Sequence, residues 1–235
     1  MTGTYYSQNY RNAVKSHTQR VITVLQRDFL DVKGKRPGTQ SQARARLARL
    51  RNAVSSPLPS DPEVFATIFN ELPEELEVRH GEPSEAELAI HAAVCLYAIH
   101  QQSRIEQEMH LKSDKRERHN LGYGISRLSK IAPGEDQDKP IVRRFNAIIT
   151  ADGFAEIRHH LRGIVQLLRS GRDGKPVPLN YALLAADLYE LQFPARRDGV
   201  RLRWSRDALR VRREQEQETG TDEQAESDGA VLEDA

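Results

Sequence analysis

Cysteine is almost absent: there is one thiol, Cys95, in 235 residues. A lone thiol excludes an internal disulfide and fits a reducing compartment. Aromatic residues make up only 6%, which excludes base stacking as the main mode of any nucleic-acid contact. Long apolar runs are missing too. The longest, Leu88 to Ile99, is broken by His91 and is too short to span a bilayer. The N-terminal Met-Thr-Gly-Thr-Tyr-Tyr-Ser-Gln-Asn-Tyr has neither an apolar core segment nor a small-residue cleavage site, so no signal peptide is expected. These absences predict a cytoplasmic protein without membrane contact.

The groupings that carry catalysis are missing as well. Gly122-Tyr123-Gly124 has no preceding strand, and Arg127 stands where a nucleotide loop needs its third glycine. His91 and Cys95 share a helix face but lack two further metal ligands, which reads as a core thiol beside a tolerated histidine. His159 and His160 are adjacent and face different ways. Glu74 and Glu75 sit at a loop edge. No set of nucleophile, base and oxyanion donor assembles, so no enzyme activity, metal or cofactor is expected.

What the chain does have is charge sorted by position. Overall there are 35 Lys and Arg against 34 Asp and Glu. Residues 214–235 hold nine of the acids, from Glu214 to Asp234, and no base. That leaves 35 bases against 25 acids in residues 1–213, a net of +10. A basic body with an acidic tail suits an anionic partner for the body, and nucleic acid is the commonest such polyanion.

Apolar spacing predicts an all-α fold of about eight or nine helices in two packed bundles, with no sheet. Residues 1–16 are polar without a clear period and read as a flexible N-terminal arm. An N-terminal bundle follows over 17–132. Its helices are expected near 17–32, 40–54, 61–72, 84–103 and 120–131. Asp61-Pro62-Glu63 and the capping box Ser84-Glu85-Ala86-Glu87 mark two of the starts. The helix from Ser84 is apolar on most sides and should be the central buried one. The loop 133–139 reads as a boundary. A C-terminal bundle over 140–213 carries the clearest amphipathic pattern, Phe154, Ile157, Leu161, Ile164, Val165 and Leu168. Asn180 should cap the next helix. Pro194 and Gly199 should interrupt before a last helix from Val200 to Arg213. Residues 214–235 read as a disordered acidic tail.

On these helices the arginines form ridges. Arg44 and Arg51 share a face outside the Leu47/Leu50/Val54 stripe. Arg158, Arg162 and Arg169 stand within about 40° of one another on an ideal wheel. Arg143 and Arg144 point away from Ile141, Phe145 and Ile148, and Arg127 and Lys130 lie off the Leu121/Ile125/Leu128 face. A single ridge of this kind is ordinarily a solvated face. Several together on a basic body form a candidate phosphate-binding surface, since guanidinium is a bidentate phosphate donor.

An ordered set of landmarks then stands out. Ala98-Ile99-His100-Gln101-Gln102-Ser103 ends the buried helix. Next come Asn120-Leu121-Gly122-Tyr123-Gly124-Ile125-Ser126-Arg127-Leu128 and Val142-Arg143-Arg144-Phe145-Asn146-Ala147-Ile148-Ile149. His160-Leu161-Arg162-Gly163-Ile164-Val165-Gln166-Leu167-Leu168 follows. Last are Asn180-Tyr181-Ala182-Leu183-Leu184-Ala185-Ala186-Asp187-Leu188-Tyr189 and Arg201-Leu202-Arg203-Trp204. In this order, over about residues 20–210, the chain resembles the CasB family, the small subunit of the type I-E CRISPR surveillance complex, Cascade. The resemblance implies an all-helical, non-catalytic subunit present as a head-to-tail pair with a second copy of itself. It implies a place beside the backbone subunits on the guide RNA and near the large subunit. It further implies that the basic surface holds DNA, target and displaced strand alike, while guide RNA and target pair. Arg44, Arg51, Arg127, Arg143, Arg144, Arg158 and Arg162 fall in segments matching the family's basic helices. The rival reading is a helical protein–protein adaptor without intrinsic affinity for nucleic acid.

Overall fold

The computed structural model describes residues 2–31, 38–78, 81–112, 119–129, 139–172 and 174–209. Among them the chain is all-helical. In order come α1 (Thr2–Phe29), α2 (Thr39–Ala53), α3 (Pro62–Phe69), a 3-10 turn (Glu74–Leu76) and α4 (Glu85–His100). They are followed by α5 (Leu121–Leu128), α6 (Pro140–Thr150), α7 (Phe154–Ser170) and α8 (Tyr181–Leu191), and residues 194–209 form a further helix, α9. No strand or sheet occurs among the described residues; His110 with Leu179 and Arg172 with Lys175 make isolated backbone bridges. No helix among them is long and apolar enough to cross a membrane.

The starts follow from the residues there. Asp61 accepts the Glu63 backbone N–H, with Pro62 at the first helical position. Ser84 and Glu87 cap each other reciprocally, the Ser84 hydroxyl accepting the Glu87 N–H and the Glu87 carboxylate accepting the Ser84 N–H. Asn120 and Asn180 cap α5 and α8 one-sidedly, each side-chain oxygen accepting one backbone N–H, from Tyr123 and Leu183. Each such cap is worth about 1 kcal/mol.

α4 is the centre of the molecule. Ala89, Ile90, Ala93, Val94, Cys95, Tyr97 and Ala98 are fully buried, because α4 packs on α1, α2, α7 and α8 at once. One core therefore runs through both halves of the chain, and α1 lies most extensively against α8. The expected boundary 133–139 lies, apart from Lys139, outside the described residues, as does the acidic stretch 214–235.

Two expectations are corrected. The segment 1–16, expected as a flexible arm, is helical from Thr2. Tyr10, Ala13 and Val14 pack on the core, too short a run to show a helical period in the sequence. Val14, His17 and Thr18 are buried, and the His17 Nε2 lies 2.7 Å from the Ile68 carbonyl. Pro194 opens α9 rather than interrupting it, and Gly199 lies inside the helix. Proline fits the first turn, where its missing N–H costs nothing.

A buried polar hub ties the N-terminal helix to the last two. Asp187 on α8 accepts from Arg11 on α1 (3.2 Å), and from Arg203 (3.0 Å) and the Trp204 indole N–H (2.8 Å) on α9. Burial pushes the Asp187 carboxyl up from its ordinary value, against the pull of Arg203 and Arg11. Burial likewise weighs on Arg203, but Asp187 and Glu190 together outweigh it and raise it. We hold the carboxylate ionised, since three donors converge on it. Trp204→Phe should cost about 2 kcal/mol, the loss of one hydrogen bond to a buried charge plus the missing ring volume. A lower urea midpoint at unchanged slope would show it, and an unchanged midpoint would count against the hub.

Candidate nucleic-acid interface

Four of the predicted arginines are gathered where α7 runs beside the end of α2. Arg158 Nη2 donates to the Ser55 carbonyl at 3.0 Å, and Arg162 Nη1 donates to the Ser55 hydroxyl at 3.2 Å. Arg169, two turns further on, donates to Gln102 Oε1 at 2.6 Å. Burial, then the nearby charge of Arg169, push the Arg51 guanidinium down from its ordinary value. Arg104 adds a fifth cation, donating to the Arg169 carbonyl at 2.8 Å. Arg44 is exposed and extends the α2 row two turns from Arg51.

None of these six has a carboxylate partner among the described residues. Other arginines do. Arg49 pairs with Asp61 and Glu63, both at 2.9 Å. Arg20 pairs with Glu71, Arg197 with Asp152, and Arg201 with Asp198. The contrast separates cations that are neutralised in place from cations that are not, among which Arg169 weighs on Arg51. Arg158 to Arg169 spans about 16 Å of helix at 1.5 Å per residue. A nucleic-acid strand presents a phosphate every 3.4 Å or so along a duplex axis, so this length faces about five of them.

The core beneath the track matches it electrostatically. His91 is fully buried, its Nε2 3.4 Å from the Cys95 Sγ. Burial, and then Arg158, push His91 down to about 4. Burial is also the main cause that takes His100 down to about 3, with Arg104 and Arg169 adding to it against a backbone hydrogen bond at Leu168. Burial pushes the Cys95 thiol up, so it is inert as a nucleophile. Among the described residues no group of three or more His, Cys, Asp or Glu is placed to hold a metal ion.

The remaining predicted positions lie elsewhere. Arg144, expected to point away from its helix's packed face, lies across α7: a Cβ on Gly163 would stand 2.1 Å from its Nε. On the α7 wheel Gly163 is about 100–140° round from the Arg158/Arg162/Arg169 ridge, so Arg144 edges the far side of the same outward face. Arg143, on the same helix, is exposed and stands apart. Arg127 lies in a separate basic cleft with Arg172 and Lys175. Lys130 lies outside the described residues. Arg104, Arg172 and Lys175 carried no signal in the sequence, because they sit in non-helical turns where periodicity says nothing.

Gly163→Ala tests the role of Arg144. The new methyl must displace the guanidinium, while alanine favours the helix by about 1 kcal/mol. Thermal stability should therefore hold. If Arg144 touches phosphate, affinity for a single strand should fall about fivefold at about 0.1 M salt, the value of one contact. Unchanged affinity in a fluorescence anisotropy titration would place Arg144 off the path.

No curated protein matches this chain. Among solved structures it is similar to CasB from Thermobifida fusca, with 28% sequence identity and a TM-score of 0.60, covering 85% of this chain and 97% of that one. Residues 46–207 match the family described as CRISPR-associated protein Cse2. That span contains α4 to α8 and every predicted arginine except Arg44. An all-helical chain that aligns with CasB over nearly its whole length, and matches the family over well over half of its own, belongs to the Cse2/CasB family of Cascade small subunits.

Proposed function

We propose that this chain is a non-catalytic subunit that holds nucleic acid by its phosphates along the α7–α2 track, steadying guide RNA–target DNA pairing and the displaced strand of the R-loop. The observation that carries the reading is the convergence of Arg51, Arg158, Arg162, Arg169 and Arg104, from three parts of the chain, with no carboxylate partner among the described residues. A bound polyanion also relieves the repulsion between Arg51 and Arg169. R-loop formation is a nearly balanced exchange of one duplex for another, so a few backbone contacts tip it. Sequence is read by the guide, and the track needs no base contacts. In this reading the subunit works in the cytoplasm within Cascade. It pairs with a second copy of itself and lies beside the backbone subunits and the large subunit.

The test is a titration of the full chain against single strands of about 20 nucleotides and unlike sequence. With four or five phosphate contacts, affinity should fall about 50- to 130-fold from 50 to 200 mM salt. It should differ little between a thymidine homopolymer and a mixed sequence. Absence of binding at low salt, in a chain that still enters the assembled complex, would favour the adaptor reading instead.

A further inference from the structure

A second basic site follows the end of the track. A cleft of about 440 Å³ opens between α5 and the turn over 171–178. Arg127, Arg172, Lys175, His119 and Tyr123 line it, and no carboxylate is among its described lining residues. The Gly171 turn is held tightly, since a Cβ there would meet the Lys175 carbonyl at 1.8 Å. This fixes the position of Arg172 and Lys175 against α5.

α9 packs on the first turn of α5, next to this cleft. A Cβ on Gly122 would lie 2.0 Å from the Trp204 carbonyl and 3.0 Å from the Ala208 nitrogen, so α9 lies directly on the first turn of α5. Asn120 Nδ2 donates to the Asp207 carboxylate in the same contact. One residue beyond Gly122 is Tyr123, a wall of the cleft whose ring meets that of His119 at 4.8 Å. Leu209, the last described residue of α9, follows directly on this contact. Five residues later comes Glu214, within about 17 Å even for an extended chain. Glu214, Glu216 and Glu218 then alternate along the sequence, and six more acids follow with no base between them. In an extended chain, alternate residues present their side chains on one side about 7 Å apart. That is a row of anions like a phosphodiester strand.

We propose that the acidic segment beginning at Glu214 docks within its own molecule in this cleft, on Arg127, Arg172 and Lys175, as a stand-in for nucleic acid that a real strand displaces. Docking requires only the cleft and the segment. The displacement rests on the nucleic-acid reading above, with the strand running on past Arg169 at the end of the track to Arg172, three residues later. Joined by a short tether, the segment is present at millimolar effective concentration, so individually weak ion pairs suffice at low salt. The device would keep the free subunit from occupying stray polyanions and yield to the strand presented in the assembled complex.

Cys95 is fully buried, so a cysteine introduced as Ser227→Cys in the full chain takes a nitroxide label selectively. Docking predicts strong paramagnetic broadening of the amides of Arg127, Gly174 and Lys175, abolished by about 0.5 M salt, where charges are screened within a few ångströms. Arg127→Ala with Lys175→Ala should abolish it too. Both side chains are exposed, so the fold should survive, as a circular dichroism melt would confirm. Broadening no greater at the cleft than elsewhere would overturn the proposal. A second variant turns the nine acids to Gln and Asn, and it should bind a thymidine 20-mer about tenfold tighter at low salt. Cleft broadening without that gain would uphold docking and overturn displacement. Absence of any binding by either form would sink the nucleic-acid reading while leaving docking to the paramagnetic result.

Discussion

The double variant Arg162→Glu with Arg169→Glu is expected to bind single-stranded DNA about 500-fold more weakly than the parent at about 0.1 M salt. The change removes two positive charges from the α7–α2 track and adds two negative ones, each unit worth roughly 0.7 of a decade at that salt. The slope of log affinity against log salt should fall by about 1.4, the share of two phosphate contacts. Folding should be spared. Arg162 is exposed, and among the described residues its one bond to another side chain is to Ser55. Arg169 is half-buried and reaches Gln102 with its guanidinium. A glutamate at 169 would also relieve the repulsion that weighs on Arg51. Arg49→Gln is the control. Asp61 and Glu63 already neutralise Arg49, so its loss should change affinity less than twofold. An unchanged affinity in the double variant would remove α7 from the path of the nucleic acid.

Much of the site's architecture was legible because it is helical. The apolar positions Ile157, Leu161, Ile164, Val165 and Leu168 all face the core, which fixes where Arg158, Arg162 and Arg169 must emerge along one edge. Ser84 and Glu87 marked the start of the buried helix through a local exchange of hydrogen bonds that needs only four residues of sequence. What escaped reading depends on distant partners. In the first half of α1, Arg11 meets Asp187, 176 positions away, a contact that no local spacing reveals. Arg144 curls onto α7 because Gly163 leaves room there, a vacancy visible only once the two helices are placed. Arg104 follows the end of α4 in a turn where Ser103 has φ 62°, so helical spacing does not reach it. The convergence of Arg51 with Arg169 is likewise a property of packing, and no wheel drawn on one helix contains it.

Acid should unfold the chain well above the pH at which carboxylates titrate. His91 and His110 are held down to about 4 and His100 to about 3, in each case chiefly by burial, and burial lowers His17 as well. The hydrogen bonds of His110 also require a neutral ring, because its Nδ1 accepts the Tyr181 backbone N–H at 3.1 Å. A protonated imidazole has no acceptor to offer there. These histidines titrate near 6.5 in the unfolded chain. Their folded values are depressed, so the unfolded state binds more protons between about pH 6.5 and 4, and stability falls as pH drops through that window. At pH 5 each of the three should cost about 2 kcal/mol, or about 6 kcal/mol together, against a total of roughly 5–15 kcal/mol for a folded domain. Asp187, whose carboxyl burial raises, contributes with the opposite sign, but it is one group against four. Helicity followed by circular dichroism should therefore collapse near pH 5 at room temperature, and the urea midpoint should drop steeply from pH 7.5 to 5.5. His91→Leu sharpens the test. It removes a buried titrating group whose Nδ1 has no hydrogen-bond partner, so the pH slope should shrink by about a third while stability at pH 7.5 holds. A urea midpoint that stays level down to pH 5 would mean that these rings accept protons without loss of the fold, and the case for a dry, neutral core beneath the arginine track would fail with it.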